Sequence, residues 1–118
     1  MIGNDVPFFK VSQTAKYLGI SADRLRTYDE EKLVMPHREN NVRLYSNNDI
    51  DWLENLREVI KKEKLSILGF KEILRVSYII NDSDFNDFVS KQDTGSIWKT
   101  IAAMRCNPNY SKLKAFYN

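Results

Sequence analysis

Three residues near the start of the chain constrain its fold most tightly. Ala15, Gly19 and Leu25 stand at the spacing of two short helices that cross closely through a tight turn. The small side chain lets the helix axes approach, the glycine supplies positive φ at the turn, and the aliphatic locks the second helix inward. Val11, Ala15 and Leu18 share one face of a helix expected to start at Ser12 and to stop at Gly19. Ser21 then caps a second helix running to about Lys32, which turns Ala22, Arg24, Arg26 and Thr27 outward. A plain αα-hairpin would carry the same three residues, so the residues C-terminal to Lys32 decide between the two.

Pro36 ends that segment, and Arg38 to Tyr45 alternates around Asn40-Asn41, the pattern of a small hairpin or wing. Ser46, Asn47 or Asn48 caps a third helix, in which Ile50, Leu53, Leu56 and Ile60 keep one face apolar up to about Glu63. A fourth is expected from about Ser66 to Val76, with Leu68, Ile73 and Leu74 in the core and Gly69 weakening its middle. Beyond it the pieces are short. Phe85, Phe88 and Val89 mark one helix, Ile97, Trp98, Ile101, Ala102 and Met104 another, and Asn107-Pro108 a break before Tyr110, Leu113, Phe116 and Tyr117. The class is mainly α, and no apolar heptad is sustained long enough for an extended coiled coil.

A chain of 118 residues holds one compact unit with room for a small appendage. Its net charge of +2 does not by itself imply a polyanionic partner, so any nucleic-acid affinity must come from local arrangement. The single cysteine, Cys106, and single histidine, His37, lie far apart, so no metal site, internal disulfide or cofactor is expected. Cys106 itself is expected to be a buried small residue. No nucleophile–base pairing and no glycine-rich phosphate loop is evident, which argues against an enzyme. Neither a secretory signal nor an apolar run of membrane length is present, so a cytoplasmic, nucleoid-associated protein is expected.

From Phe9 through Leu74 the chain resembles the N-terminal winged helix-turn-helix domain of the MerR family of bacterial transcriptional regulators. The resemblance rests on the first helix (VSQTAKYLGIS), on Leu25-Arg26-Thr27-Tyr28-Asp29 with Leu33-Val34 and Pro36, on Val42-Arg43-Leu44-Tyr45-Ser46, and on Asp49-Ile50 with Leu53. Leu65 to Leu74 looks like that family's fourth helix. The implied architecture is a MerR-like domain over residues 8–76, with a short β-hairpin wing, followed by a small helical extension over 77–118. The implied partner is double-stranded DNA, with the second helix in the major groove and RNA polymerase met at a promoter.

The resemblance matches Arg26 and Tyr28 to recognition-helix contacts and Arg43 and Tyr45 to wing contacts. Arg24 is the candidate for a base edge, because a guanidinium can bind guanine with two hydrogen bonds. Lys16 and Arg38 add phosphate charge, and Ser21 and Thr27 complete the expected DNA-binding set. Other roles stay open for several of these. Tyr28 can have its ring in the core, Arg26 can pair with Glu30, and Arg43 and Tyr45 can simply decorate a hairpin. Asp29-Glu30-Glu31 reads as a helix surface turned away from DNA.

Three positions depart from the family pattern: Thr27 replaces a usual tyrosine, and Lys32 and Asn41 replace usual glycines. Residues 77–118 supply neither the family's long dimerisation helix nor a cysteine cluster, so no metal-sensing role is expected. The apolar residues there can close the core, form a homodimer interface or dock another protein. The basic end, Lys112 and Lys114 among aromatics, reads as a solvated terminus. An excisionase-like or architectural DNA-binding protein and a protein-interaction adaptor are the alternatives to a transcription regulator.

Overall fold

A computed structural model describes residues 3–117. Packing divides the chain into two compact units, one ending at Glu54 and the other starting at Asn55. The division falls inside a helix, earlier than the end of the DNA-binding segment expected from the sequence.

In the first unit a short strand β1 (Phe9–Lys10) leads directly into α1 (Val11–Leu18), followed by α2 (Ala22–Glu30), β2 (His37–Glu39), β3 (Val42–Tyr45) and the start of α3 (Asn47–Glu63). Ser12 is not the cap of α1. The chain leaves β1 at Lys10, whose backbone N–H donates to Gln13 Oε1 at 2.9 Å, so the cap lies two residues sooner and the helix opens at Val11. Gly19 closes α1 at φ +71°, and Ser21 Oγ accepts the Arg24 N–H at 3.0 Å to open α2. Ala15 and Leu25 are both buried at the crossing, as the close-packed turn requires. The helix-turn-helix expected from three residues is therefore present.

β2 and β3 form a hairpin in which His37 pairs with Leu44, Arg38 with Arg43 and Glu39 with Val42. Its two-residue turn holds Asn40 at φ +51° and Asn41 at φ +67°, the paired left-handed conformations that suit the right-handed twist of the strands. β1 adds to the other edge of β3, giving a three-stranded antiparallel sheet of order β1-β3-β2. Ser46 and Asp49 cap α3 reciprocally: Ser46 Oγ accepts from the Asp49 N–H, and Asp49 Oδ2 from the Ser46 N–H. The core gathers Leu25, Tyr28, Leu33, Val34, Tyr45, Trp52 and Leu53, and the Trp52 indole N–H donates to the Leu33 carbonyl at 2.6 Å.

The second unit continues α3 and adds α4 (Ile67–Ile79), α5 (Asp82–Ser90), α6 (Ile97–Arg105), α7 (Pro108–Leu113) and a 3-10 turn at Lys114–Phe116. α4 runs three residues past the expected Val76. Its inward face is Phe70, Leu74 and Ser77, which at 3.6 residues per turn puts Leu68 on the opposite side. Leu68, expected in the core, is 73% exposed. Phe85, Val89, Ile101, Met104 and Leu113 supply the rest of this core, whereas Phe88 and Phe116 remain exposed. Cys106 also differs from expectation: it lies exposed at the end of α6, where its thiol reaches only the Ala102 carbonyl.

Arg105 ties the second unit together. Its guanidinium donates to the carbonyls of Ser77 (2.8 Å) and Ile80 (3.3 Å) and to Asp82 Oδ1 (2.5 Å), and lies over the Phe85 ring. Among the described residues no helix is long and apolar enough to cross a membrane.

Lys32 adopts φ +61°, the left-handed conformation left to it where the family usually has glycine. That conformation strains a side-chain-bearing residue by roughly 1–2 kcal/mol, only partly offset by the freedom a glycine loses on folding. Lys32→Gly is therefore expected to raise stability by about 0.5 kcal/mol, read as a shifted midpoint in urea unfolding with an unchanged slope.

Candidate nucleic-acid interface

α2 turns Ala22, Arg24, Arg26 and Thr27 outward, Arg24 exposed and the other three partly so. Arg24 is exposed and makes no ion pair among the described residues. Arg26 is half exposed and pairs with Asp23 at 2.9 Å, not with Glu30. Thr27 Oγ1 donates back to the Asp23 carbonyl at 2.9 Å, a bond within the helix. Ser21 is occupied as the helix cap, and Lys16 on α1 is exposed. These positions are close in sequence and fall on the first two helices, so the helix-turn-helix brings Lys16, Ser21, Arg24 and Arg26 within one short segment.

The two tyrosines lie elsewhere. Tyr28 and Tyr45 are both fully buried, so neither ring offers a surface to a ligand in this conformation. Tyr28 falls three residues after Leu25 on the inward face of α2, and Tyr45 is the last residue of the central strand, flanked by β1. Both belong to the core. The Tyr45 hydroxyl is buried with no hydrogen-bond partner among the described residues, and burial pushes its phenol well above the ordinary tyrosine range. The charge of Asp29 pushes in the same direction, and Arg43 partly opposes it.

Asp29 is the residue that sequence reasoning misplaced. It is buried on α2, and its Oδ2 accepts from Arg38 Nη2 at 2.7 Å and from Arg43 Nε at 2.5 Å. The hairpin register sets Arg38 directly across from Arg43, a pairing of like charges that is unfavourable without an anion. Asp29 is that anion. Arg43 is 15% exposed, with Nη2 also 3.8 Å from Glu30, and its guanidinium is held further into its charged form by the Asp29 hydrogen bond. Arg38 stays half exposed. Of the two wing arginines, Arg38 alone keeps substantial surface for an outside anion, while Arg43 fixes the hairpin against α2.

His37 is exposed at the start of β2, with its Nε2 4.0 Å from Glu39. Among the described residues no group of three or more His, Cys, Asp or Glu side chains is arranged to hold a metal ion.

Comparison with known proteins agrees with this geometry. The model of the MerR HTH family of regulatory proteins matches residues 9–76. This chain belongs to the MerR family. The regulator is 30% identical over 95 residues to the HTH-type transcriptional regulator GlnR of Bacillus anthracis, a match covering 80% of this chain and 70% of that protein. GlnR of Bacillus cereus matches equally. A putative heat shock protein HspR of Streptomyces coelicolor is 32% identical over 73 residues, 61% of this chain and 48% of its own. The crystal structure of HiNmlR, a MerR family regulator lacking the sensor domain and bound to promoter DNA, superposes with a TM-score of 0.54. At 23% identity over 92% of this chain and 80% of that one, the last likeness supports the winged helix-turn-helix fold.

The burial of these groups sets the outcome of two substitutions. Asp29→Ala leaves Arg43 largely buried without its carboxylate and is expected to cost about 3 kcal/mol, whereas Arg38→Ala, at a half-exposed partner, costs under about 1 kcal/mol. Urea unfolding of the two variants measures the contrast. For Tyr45 the folded phenol titrates above its unfolded value of about 10, so its contribution is complete below that pH and is lost as pH rises past it. Tyr45→Phe, which removes a buried hydroxyl that has no partner, should be at least as stable as the wild type at pH 7 and lose less stability in melts recorded above pH 10.

Proposed function

We propose that this regulator binds double-stranded DNA sequence-specifically, with α2 in the major groove and the hairpin against the adjacent backbone. The observation that carries the reading is the locking of the hairpin to α2 through Asp29, which leaves Arg24 free and Arg38 half exposed on the elements a duplex would meet. Arg24 is the base-reading residue, and Lys16, Arg26 and Arg38 contribute phosphate charge. Arg43 acts through the hairpin's placement and not by direct contact. Ser21 and Thr27 orient the first turns of α2 through their local hydrogen bonds.

The site is two-fold related and bound by two copies of the chain, with RNA polymerase served at the same promoter. HiNmlR was captured on promoter DNA, and the GlnR relatives are named as transcriptional regulators, which supports this assignment of partner and role. Deformation of the duplex would place part of the specificity in flexible base steps that no side chain touches.

Fluorescence anisotropy against duplexes tiled across the DNA upstream of the regulator's own gene, with unrelated duplex as competitor, tests the proposal. One tile is expected to bind tightly and resist competition. Arg24→Ala should lose about 1–3 kcal/mol of preference at a single base pair, while Lys16→Ala weakens binding to every duplex and flattens its salt dependence by about one phosphate. Equal affinity for all tiles, unchanged in Arg24→Ala, would overturn it.

A further inference from the structure

We infer that the cleft between α1 and the start of α3 binds a small organic cation, a primary ammonium carried on an apolar body. The cleft has a volume of about 410 Å³, within the range of small-molecule sites. α1 lines it with Thr14 and Tyr17, α3 with Ile50, Asp51 and Glu54, and β1 with Phe9, all within the first unit. The helical residues recur every three or four positions, so each helix offers the cleft one face. None of the basic residues assigned to DNA lines it.

The charge of the cleft is of one sign. Asp51 and Glu54 are exposed, stand three residues apart on α3, and make no ion pair among the described residues. No lysine, arginine or histidine lines the cleft. Two full negative charges outweigh the half positive charge that a helix presents at its start, so the cleft repels an anion and draws in a cation. Its other walls are carbon. Phe9 and Ile50 are apolar, and Tyr17 is 67% exposed, which leaves ring surface for the apolar body and for the attraction of a cation to an aromatic face.

A second observation points to a ligand. Thr14 is fully buried on the cleft's lining, and its hydroxyl has no hydrogen-bond partner among the described residues. An orphaned buried hydroxyl is costly, so each one calls for a partner that the protein itself does not supply. An ammonium brings three donors, and Thr14, Asp51 and Glu54 together offer it three acceptors. A metal ion fits less well, because no third His, Cys, Asp or Glu joins the two carboxylates and the carbon walls give an ion nothing. The inference rests on these contacts alone and is measured without DNA, so it stands or falls separately from the DNA-binding reading.

Amide chemical shifts of the whole chain, followed by NMR at pH 7 and low salt during titration with 2-phenylethylamine, test it. The amine is protonated at that pH, and 2-phenylethanol is its neutral counterpart of the same shape. Saturable shifts are expected in α1 and at the start of α3, with the alcohol binding at least about tenfold more weakly. The double variant Asp51→Asn with Glu54→Gln should bind the amine no better than the alcohol. Thr14→Val keeps the shape, should unfold no earlier in urea than wild type, and should bind the amine about threefold more weakly. Spectra of the free variants check that each is folded. An alcohol that binds as tightly as the amine, a double variant or Thr14→Val that binds like wild type, or shifts confined to other elements would each overturn the inference. Tighter binding of acetyl-lysine amide than of the amine would also overturn it, by assigning the cleft to a protein side chain.

Discussion

A single carboxylate holds α2 and the hairpin of this regulator in fixed relation. Asp29 stands on α2, and the guanidiniums that close on it come from the two strands of the hairpin. Without it, the register forced by the Asn40-Asn41 turn would leave two arginines face to face. With it, the same register becomes a clamp in which hairpin and helix have one mutual geometry. The edge strand β2 has no apolar residue of its own and is exposed throughout, so electrostatics sets there what packing would leave loose.

That arrangement divides labour among the basic residues. Arg43 directs its hydrogen bonds inside the protein, Arg26 directs part of its own to Asp23, and Arg24 is engaged in no ion pair among the described residues. Basic residues that look equivalent in sequence therefore differ in what they can give to an outside anion. The modest net charge fits this division, because several cations are already matched by carboxylates before any ligand arrives.

Much of the first unit was legible because local rules and tertiary packing agree there. Gly19 at the turn, Ser21 at the cap and Asn40-Asn41 in the hairpin each have one conformation that the surrounding residues also favour. The tyrosines were harder to place, since an aromatic ring with a polar tip suits both a core and a surface, and only the third dimension decides. Asp29 was misplaced because it sits in a run of three acids that resembles a solvated face. Pairing the strands about Asn40-Asn41 would have put Arg38 opposite Arg43 and shown that an anion was needed. In the second unit the period of α4 was evident but its phase was not, as Leu68 and Phe70 are equally apolar and only one can face inward.

Arg105 has a consequence for how the second unit opens. The carbonyls of Ser77 and Ile80 lie where α4 ends and lack helical donors, and the side chain that satisfies them belongs to α6. The same guanidinium also holds Asp82 in the first turn of α5. Fraying at the corner between α4 and α5 therefore has to break bonds to α6 as well, so the three helices should exchange their amide protons with solvent as one cooperative block and not one helix at a time.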